Sequence, residues 1–282
     1  MARVHGYIKL RGSMGETTFK GGPGKKNYAN DKVVISDARM KYHDKYRTLR
    51  REASHLSNAS TCAKLLRDSV TNFIDDASDS KVVNRTYTEM RKVLKKDKTP
   101  DADRRQIVRD ENMVHMLGFN FNDKVKLRVA FNVAYRTKIN RETGELTITI
   151  SSFKPVSAIR GPQYATHFKI VSNAMAIDLK GKQEKYVTHE TPLFKIDSST
   201  PTEPMTIIHQ LPAGSTDLLC IAMGLQFSEE TGNYYMTTPQ KRVVNPLCLV
   251  DVNFVPRIIA IPEVVLKGPS SYFETNIPGY KR

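Results

Sequence analysis

The sequence predicts an α+β protein, with an N-terminal β-ribbon and a helical segment followed by an antiparallel β-sandwich. Three observations carry this. Over residues 37–94 apolar residues recur every three or four positions, the period of helices with one buried face. Beyond Gly118, short apolar runs are punctuated by Gly, Pro and Ser, as in many-stranded sandwiches. Residues 125–150 then read as a long β-hairpin. Val125, Leu127, Val129, Phe131, Val133, Tyr135, Thr137 and Ile139 share one parity, Asn140 to Gly144 form a turn, and Leu146, Ile148 and Ile150 resume the alternation.

Four regions follow: a ribbon and basic arm over 1–35, a basic helical segment over 36–112, a sandwich over 113–267 and a polar tail over 268–282. In the first, Tyr7, Ile8 and Leu10 precede the turn Gly12-Ser13-Met14-Gly15, and Thr17, Thr18 and Phe19 follow it. A two-stranded ribbon is marginal alone, so it needs a sheet to join, in its own subunit or a neighbour. The basic loop 20–27 gives it reach. That loop is not a phosphate loop, since Phe19 stands where the motif needs glycine and Lys26 where it needs Ser or Thr.

In the helical segment Leu65, Leu66, Val70, Phe73 and Ile74 form an apolar stripe that Ala59 and Ala63 extend backwards. Asn58 or Ser60 is placed to cap a second helix there. After the polar break 75–80, in which Asp79 or Ser80 can cap, Val83, Tyr87, Met90 and Leu94 mark the next stripe. Lys92, Lys95, Lys96 and Lys98 crowd its end, where they suit the helix dipole. Asp101 and Asp103 read as the start of a further helix. In the β half the expected strands are 167–172, 174–180, 205–210, 217–227, 233–238, 247–254 and 257–266, with a second hairpin turn over 229–233 and a loop at His189-Glu190. The runs Leu218 to Met223 and Leu247 to Val250 are apolar on both parities, as in strands buried on both faces.

Composition bounds the partners. Lys and Arg number 44 against 29 Asp and Glu, a net charge of +15. Residues 1–112 hold 25 basic against 15 acidic, so most of the surplus lies in the helical half. Such a balance suits a polyanion or an acidic protein surface. Within it Lys41, Lys45, Arg47, Arg50 and Arg51, interleaved with Tyr42 and Tyr46, are the candidate polyanion contacts. The competing reading is a solvated helix whose long side chains snorkel. No run reaches the length of a membrane span, and no signal peptide is read at the start, so synthesis in the cytoplasm is expected, with the final location open. Three scattered cysteines, Cys62, Cys220 and Cys248, read as buried small hydrophobes.

Catalytic signatures are not found in the sequence. The seven histidines show neither zinc-ligand spacing nor a cysteine partner, and there is no nucleophile elbow, dinucleotide fingerprint or Walker lysine. No enzyme activity, cofactor, metal or small-molecule substrate is therefore expected.

Three stretches carry a family resemblance: the opening Gly6-Tyr7-Ile8-Lys9-Leu10-Arg11-Gly12-Ser13-Met14-Gly15, the segment Ala77-Ser78-Asp79-Ser80-Lys81-Val82-Val83, and Leu117-Gly118-Phe119-Asn120-Phe121. Together they resemble a family of bacterial, prophage-associated proteins of similar length with no established activity. The resemblance covers much of the first 150 residues and implies no site residue. The expected function is a self-assembling structural subunit of virion, surface or filament type, with Tyr7, Ile8, Leu10 and Phe19 as its assembly residues. The alternative is nucleic-acid binding by the basic half, and a third reading is a module that binds a bacterial partner or a glycan.

Overall fold

A computed structural model describes residues 2–3, 11–21, 28–32, 35–97, 99, 105–108, 110–231, 234–237 and 244–254. Its elements make the α+β arrangement expected from the sequence, in one small and one large assembly.

The small one is an N-terminal antiparallel sheet of β1 (Ala2–Arg3), β2 (Gly12–Met14), β3 (Thr17–Lys20) and β4 (Tyr28–Asp31), in the order β1-β4-β3-β2. Its first hairpin turns at Gly15 and Glu16, with Met14 opposite Thr17, and not over Gly12 to Gly15 as the sequence suggests. Gly15 has φ +58, a left-handed conformation that glycine adopts without a Cβ penalty. The ribbon finds a partner in β4, where Phe19 lies opposite Ala29. Of the expected assembly residues only Phe19 falls among the described ones, and it is half-buried; Tyr7, Ile8 and Leu10 lie outside them.

The helical part follows as α1 (Asp37–Tyr42), a 3-10 turn at Asp44–Tyr46, α2 (Arg47–Asp68), α3 (Thr71–Ile74) and α4 (Val82–Lys96). Ser36 caps α1 by accepting the Arg39 backbone N–H. Helix α2 runs unbroken through Asn58 and Ser60, so neither is a cap; Asn58 Oδ1 instead accepts the Ile107 N–H at 3.0 Å. The face of α4 is also rotated from the expected one. Val82, Thr86, Met90, Val93 and Leu94 are buried, and Val83 is exposed. Thr86 can face inward because its hydroxyl is satisfied by Val82 O and by Arg67. No α-helix begins among the described residues of 105–112. Asp110 instead caps a 3-10 turn, Glu111–Met116, while Asp101 and Asp103 lie outside the described residues.

The β part comprises α5 (Leu127–Ala130), β5 (Tyr135–Asn140), β6 (Glu145–Ile150), α6 (Pro155–Ala158), β7 (His167–Asp178), β8 (Gln183–Glu190), β9 (Phe194–Lys195), β10 (Met205–Gln210), β11 (Leu218–Thr231), β12 (Tyr234–Thr237) and β13 (Leu247–Asn253). One antiparallel sheet runs β10-β6-β5. The other runs β12-β11-β7-β8, with β13 also on β11 and β9 also on β7. The hairpin of 125–150 is therefore shorter than expected. Residues 127–130 coil into a helical turn that buries Leu127, Ala130 and Phe131 at helical spacing and turns Val129 out, 59% exposed. Strand β7 is continuous, though the sequence suggested a break near Asn173. The Asn173 side-chain amide is carried inside by donating to Ser69 O at 2.5 Å. His189-Glu190 is the end of strand β8, not a loop. β11 and β12 form the second expected hairpin, but Glu229, Glu230 and Thr231, expected in its turn, belong to β11 and pair with Met236, Tyr235 and Tyr234. The expected strand 257–266 and the tail lie outside the described residues.

Both faces of the β7–β11–β13 sheet are covered, which is why these runs are apolar on both parities. Val171, Met175, Ile177, Leu218, Cys220, Leu247 and Leu249 meet Cys62, Leu66, Val70, Met90 and Val93 of the helices. The opposite parity, from Phe168 and Ile170 to Leu225 and Phe227, meets Leu146, Ile148 and Ile150 of β6 and Ile207 of β10. The layers are thus helices, sheet and sheet, with two cores. The helical segment and the sandwich share the first of these.

Candidate assembly arm and basic hollow

Among the described residues, nothing before Ala59 belongs to either core. No residue of β2, β3 or β4 is buried, and neither is any of α1. Helix α2 contributes its first buried side chain at Ala59, three turns in from Arg47. The described residues between 11 and 58 therefore carry regular structure without a core of their own. Isolated helices of that length are marginal in water.

This arm nevertheless exposes large apolar side chains. Leu49 is 53% exposed and Leu56 39%, and Ala53 between them is exposed too. Spacings of four and three place all three on one side of α2. Tyr42 and Met40 of α1 add exposed apolar surface nearby in the chain. Sequence reading missed Leu49 and Leu56, although their spacing is the signal that was read correctly further along the helix. The two stripes differ only in that one has a partner within the chain.

The five candidate polyanion residues are not gathered into one patch. Arg50 is committed to the arm itself: its Nη1 donates to Met40 O and His43 O, each at 2.9 Å, and so closes the C-terminal end of α1. Lys41 Nζ lies 5.5 Å from the centroid of the Tyr42 ring, a cation–π arrangement. Lys45 and Arg47 are exposed. Only Arg51 joins other cations. It shares a hollow of about 140 Å³ with His55 of α2, Arg91 and Lys95 of α4, and Arg105. At 3.6 residues per turn, Arg47, Arg51 and His55 form one row on the side of α2 opposite Leu49 and Leu56. The sequence signal for the hollow was the four-residue spacing within each helix. The pairing of α2 with α4 was not readable.

A second cleft, about 570 Å³, opens where α4 meets the chain entering the β part, and Lys81, Arg85, Glu89, His115, Phe119 and Lys126 line it. Arg85 is its anchor. It pairs with Asp79, donates to Asn120 O and Phe121 O at 2.7 Å each, and lies 5.3 Å from the Phe119 centroid. Asp79 also accepts the N–H groups of Lys81 at 2.7 Å and Asp123 at 2.9 Å. Burial alone would push its carboxyl up, but these two N–H groups and the Arg85 guanidinium outweigh that and hold it below the ordinary value. Neither Asp79 nor Ser80 is the cap the sequence suggests: Lys81 stands at the N-cap of α4 without a side-chain cap bond, and Asp79 instead holds the turn before the helix and reaches across to Asp123.

Elsewhere the polar chemistry is sealed. Ser172 Oγ and His209 Nε2 are joined by a 3.0 Å hydrogen bond between the sheets, with both residues buried. Burial, then the neighbouring His189, lowers the His209 pKa to about 4. The three cysteines are free and buried. Burial pushes the Cys62 thiol up to about 11 and Cys248 to about 12, and Cys220 is pushed up as well. Among the described residues no cluster of three His, Cys, Asp or Glu side chains could hold a metal ion, and no helix is long and apolar enough to cross a membrane. No protein-family model, curated protein or solved structure matches this chain.

Proposed function

We propose that this protein is a non-enzymatic structural subunit that assembles with copies of itself, of the kind that builds a virion, surface layer or filament. One observation carries the reading: the apolar stripe of Leu49, Ala53 and Leu56 lies on an arm that joins neither core. Apolar side chains held in regular spacing on an uncovered helix are stabilised once a partner removes them from water. The N-terminal sheet adds a second contact. In its order β1-β4-β3-β2, strand β2 is a terminal strand whose outer backbone groups can pair with an added strand. A second copy of the chain supplies both partners at once, since an isologous contact brings like stripe to like stripe.

Deleting residues 1–56, which removes both the stripe and the N-terminal sheet, tests this. The expected product melts cooperatively, because no residue of either core precedes Ala59, yet associates into fewer copies than the intact chain. A truncated chain that remains as oligomeric as the intact one, or an intact chain that is monomeric, overturns the reading.

A further inference from the structure

We propose that His189 and His209 form a two-histidine site for a divalent transition-metal ion such as zinc, bridging the two β-sheets at their edge. The inference goes beyond the assembly reading and does not rest on it. Strand β8 ends one sheet and β10 ends the other, and the two strands approach one another. His189 of β8 stands opposite Ser172 of β7 in register, so the two side chains share one face of their sheet. His209 reaches that face from β10. Its Nε2 is 3.0 Å from Ser172 Oγ, and its ring centroid is 6.3 Å from that of His189, with the ring planes at 89°. With metal–nitrogen bonds of about 2.0–2.1 Å, two imidazoles on one ion have centroids about 5–6 Å apart. A small swing of the exposed His189 ring therefore suffices.

The buried ring is prepared for a ligand's role. His209 is 1% exposed, and among the described residues its Nδ1 has no hydrogen-bond partner. A proton on that nitrogen would be a buried donor without an acceptor, a costly arrangement. The favoured tautomer therefore carries its proton on Nε2, donates it to Ser172 Oγ and keeps a lone pair on Nδ1. Metal-binding histidines are held in the same way, by a hydrogen bond from the second ring nitrogen. Burial lowers the His209 pKa to about 4, so at neutral pH protons do not compete with the ion. Imidazole nitrogen suits zinc, copper or nickel, whereas magnesium and calcium take oxygen. Two protein ligands leave the remaining positions to water, and the exposed His189 gives the ion its way in. Sequence spacing did not show the pair because its members stand on strands of different sheets.

The intact chain is titrated with zinc chloride by calorimetry at pH 7.5, with magnesium chloride as control, and its thermal midpoint is read with and without zinc. The expected result is zinc binding, no response to magnesium, and a midpoint that rises with zinc, because an ion that binds only the folded state stabilises it. His189→Ala, at an exposed position outside both cores, should bind zinc at least tenfold more weakly. His115→Ala, which removes an exposed histidine beside α4, should change binding no more than twofold. His209→Asn should weaken binding as His189→Ala does; if that variant does not melt cooperatively, His189→Ala alone decides. No zinc binding by the wild type, undiminished binding in His189→Ala or in a folded His209→Asn, or equal weakening in His189→Ala and His115→Ala overturns the site.

Discussion

Arg85 and Asp79 face each other at the start of α4, and the same guanidinium that pairs with Asp79 also binds Asn120 O and Phe121 O, each at 2.7 Å. One side chain thus ties the first helical turn to the strand-bound chain some 35 residues later. Asp79 has three donors and little contact with solvent. Substituting Asp79→Asn leaves the Arg85 charge without its partner and is expected to cost about 3 kcal/mol, read from urea unfolding at pH 7. Its lowered pKa adds a sign. The stabilisation is complete above the unfolded value of 3.8 and disappears as pH falls through the lower folded value, so the variant should show a shallower acid limb.

His209 acts in a higher pH range. It is buried beside Ser172 and His189, with its pKa lowered from 6.5 to about 4. The unfolded chain takes up the proton first, so stability is whole above pH 6.5 and falls between 6.5 and 4. At pH 5 the expected loss is about 2 kcal/mol. Chemical unfolding at pH 7.5 and 5 measures it, and His209→Asn should abolish most of the difference. Equal wild-type stability at both values would contradict the burial of a neutral imidazole.

Phe131 and Val129 separate the helical turn from the strand that the sequence suggested. Phe131 is 3% exposed and packs edge-on against Phe153 at 5.7 Å, while Val129 faces outward. Phe131→Asp should cost more than about 4 kcal/mol, and Val129→Asp should stay within about 0.5 kcal/mol. Comparable losses in the two variants would restore the strand.

That residue pair also shows what was legible in the sequence. The alternation of Val125, Leu127, Phe131 and Val133 fits a strand, but Leu127, Ala130 and Phe131 equally fit a helical turn. The N–H groups of Ala130 on Lys126 O and of Phe131 on Leu127 O make it the turn, and the bridge from Phe131 to Ile159 ends it. The doubly covered strands β11 and β13 were legible because burial on both faces leaves no polar parity. Strand β7 was split at Asn173 because the polar residue's partner, Ser69 O, lies 104 positions away. Strand β8 ends the β12-β11-β7-β8 path, is mostly exposed and has no apolar alternation to read. The basic run was visible as composition, but its one clustered member, Arg51, meets Arg91 and Lys95 only through helix packing.

Gly144 and Gly118 offer a paired test of the β5–β6 turn. Both have positive φ, +76 and +79. A Cβ at Gly144 would collide with the backbone oxygen of Leu211, whereas nothing lies within 4 Å of one at Gly118. Gly118→Ala should cost about 1 kcal/mol for conformation alone, and Gly144→Ala about 2–3 kcal/mol. Urea midpoints at neutral pH measure both, and equal costs would mean that the turn does not pack on Leu211.

The most direct measurement is the solution mass of the intact chain beside a Leu49→Glu/Leu56→Glu variant, by light scattering on a sizing column. Both side chains are exposed and lie outside the cores, so the variant should melt within a few degrees of wild type. The expected result is a wild type larger than one chain and a variant whose mass falls toward a single chain of 31.9 kDa. An unchanged oligomer in the variant, or a wild type that already runs as one chain, would contradict assembly through the arm.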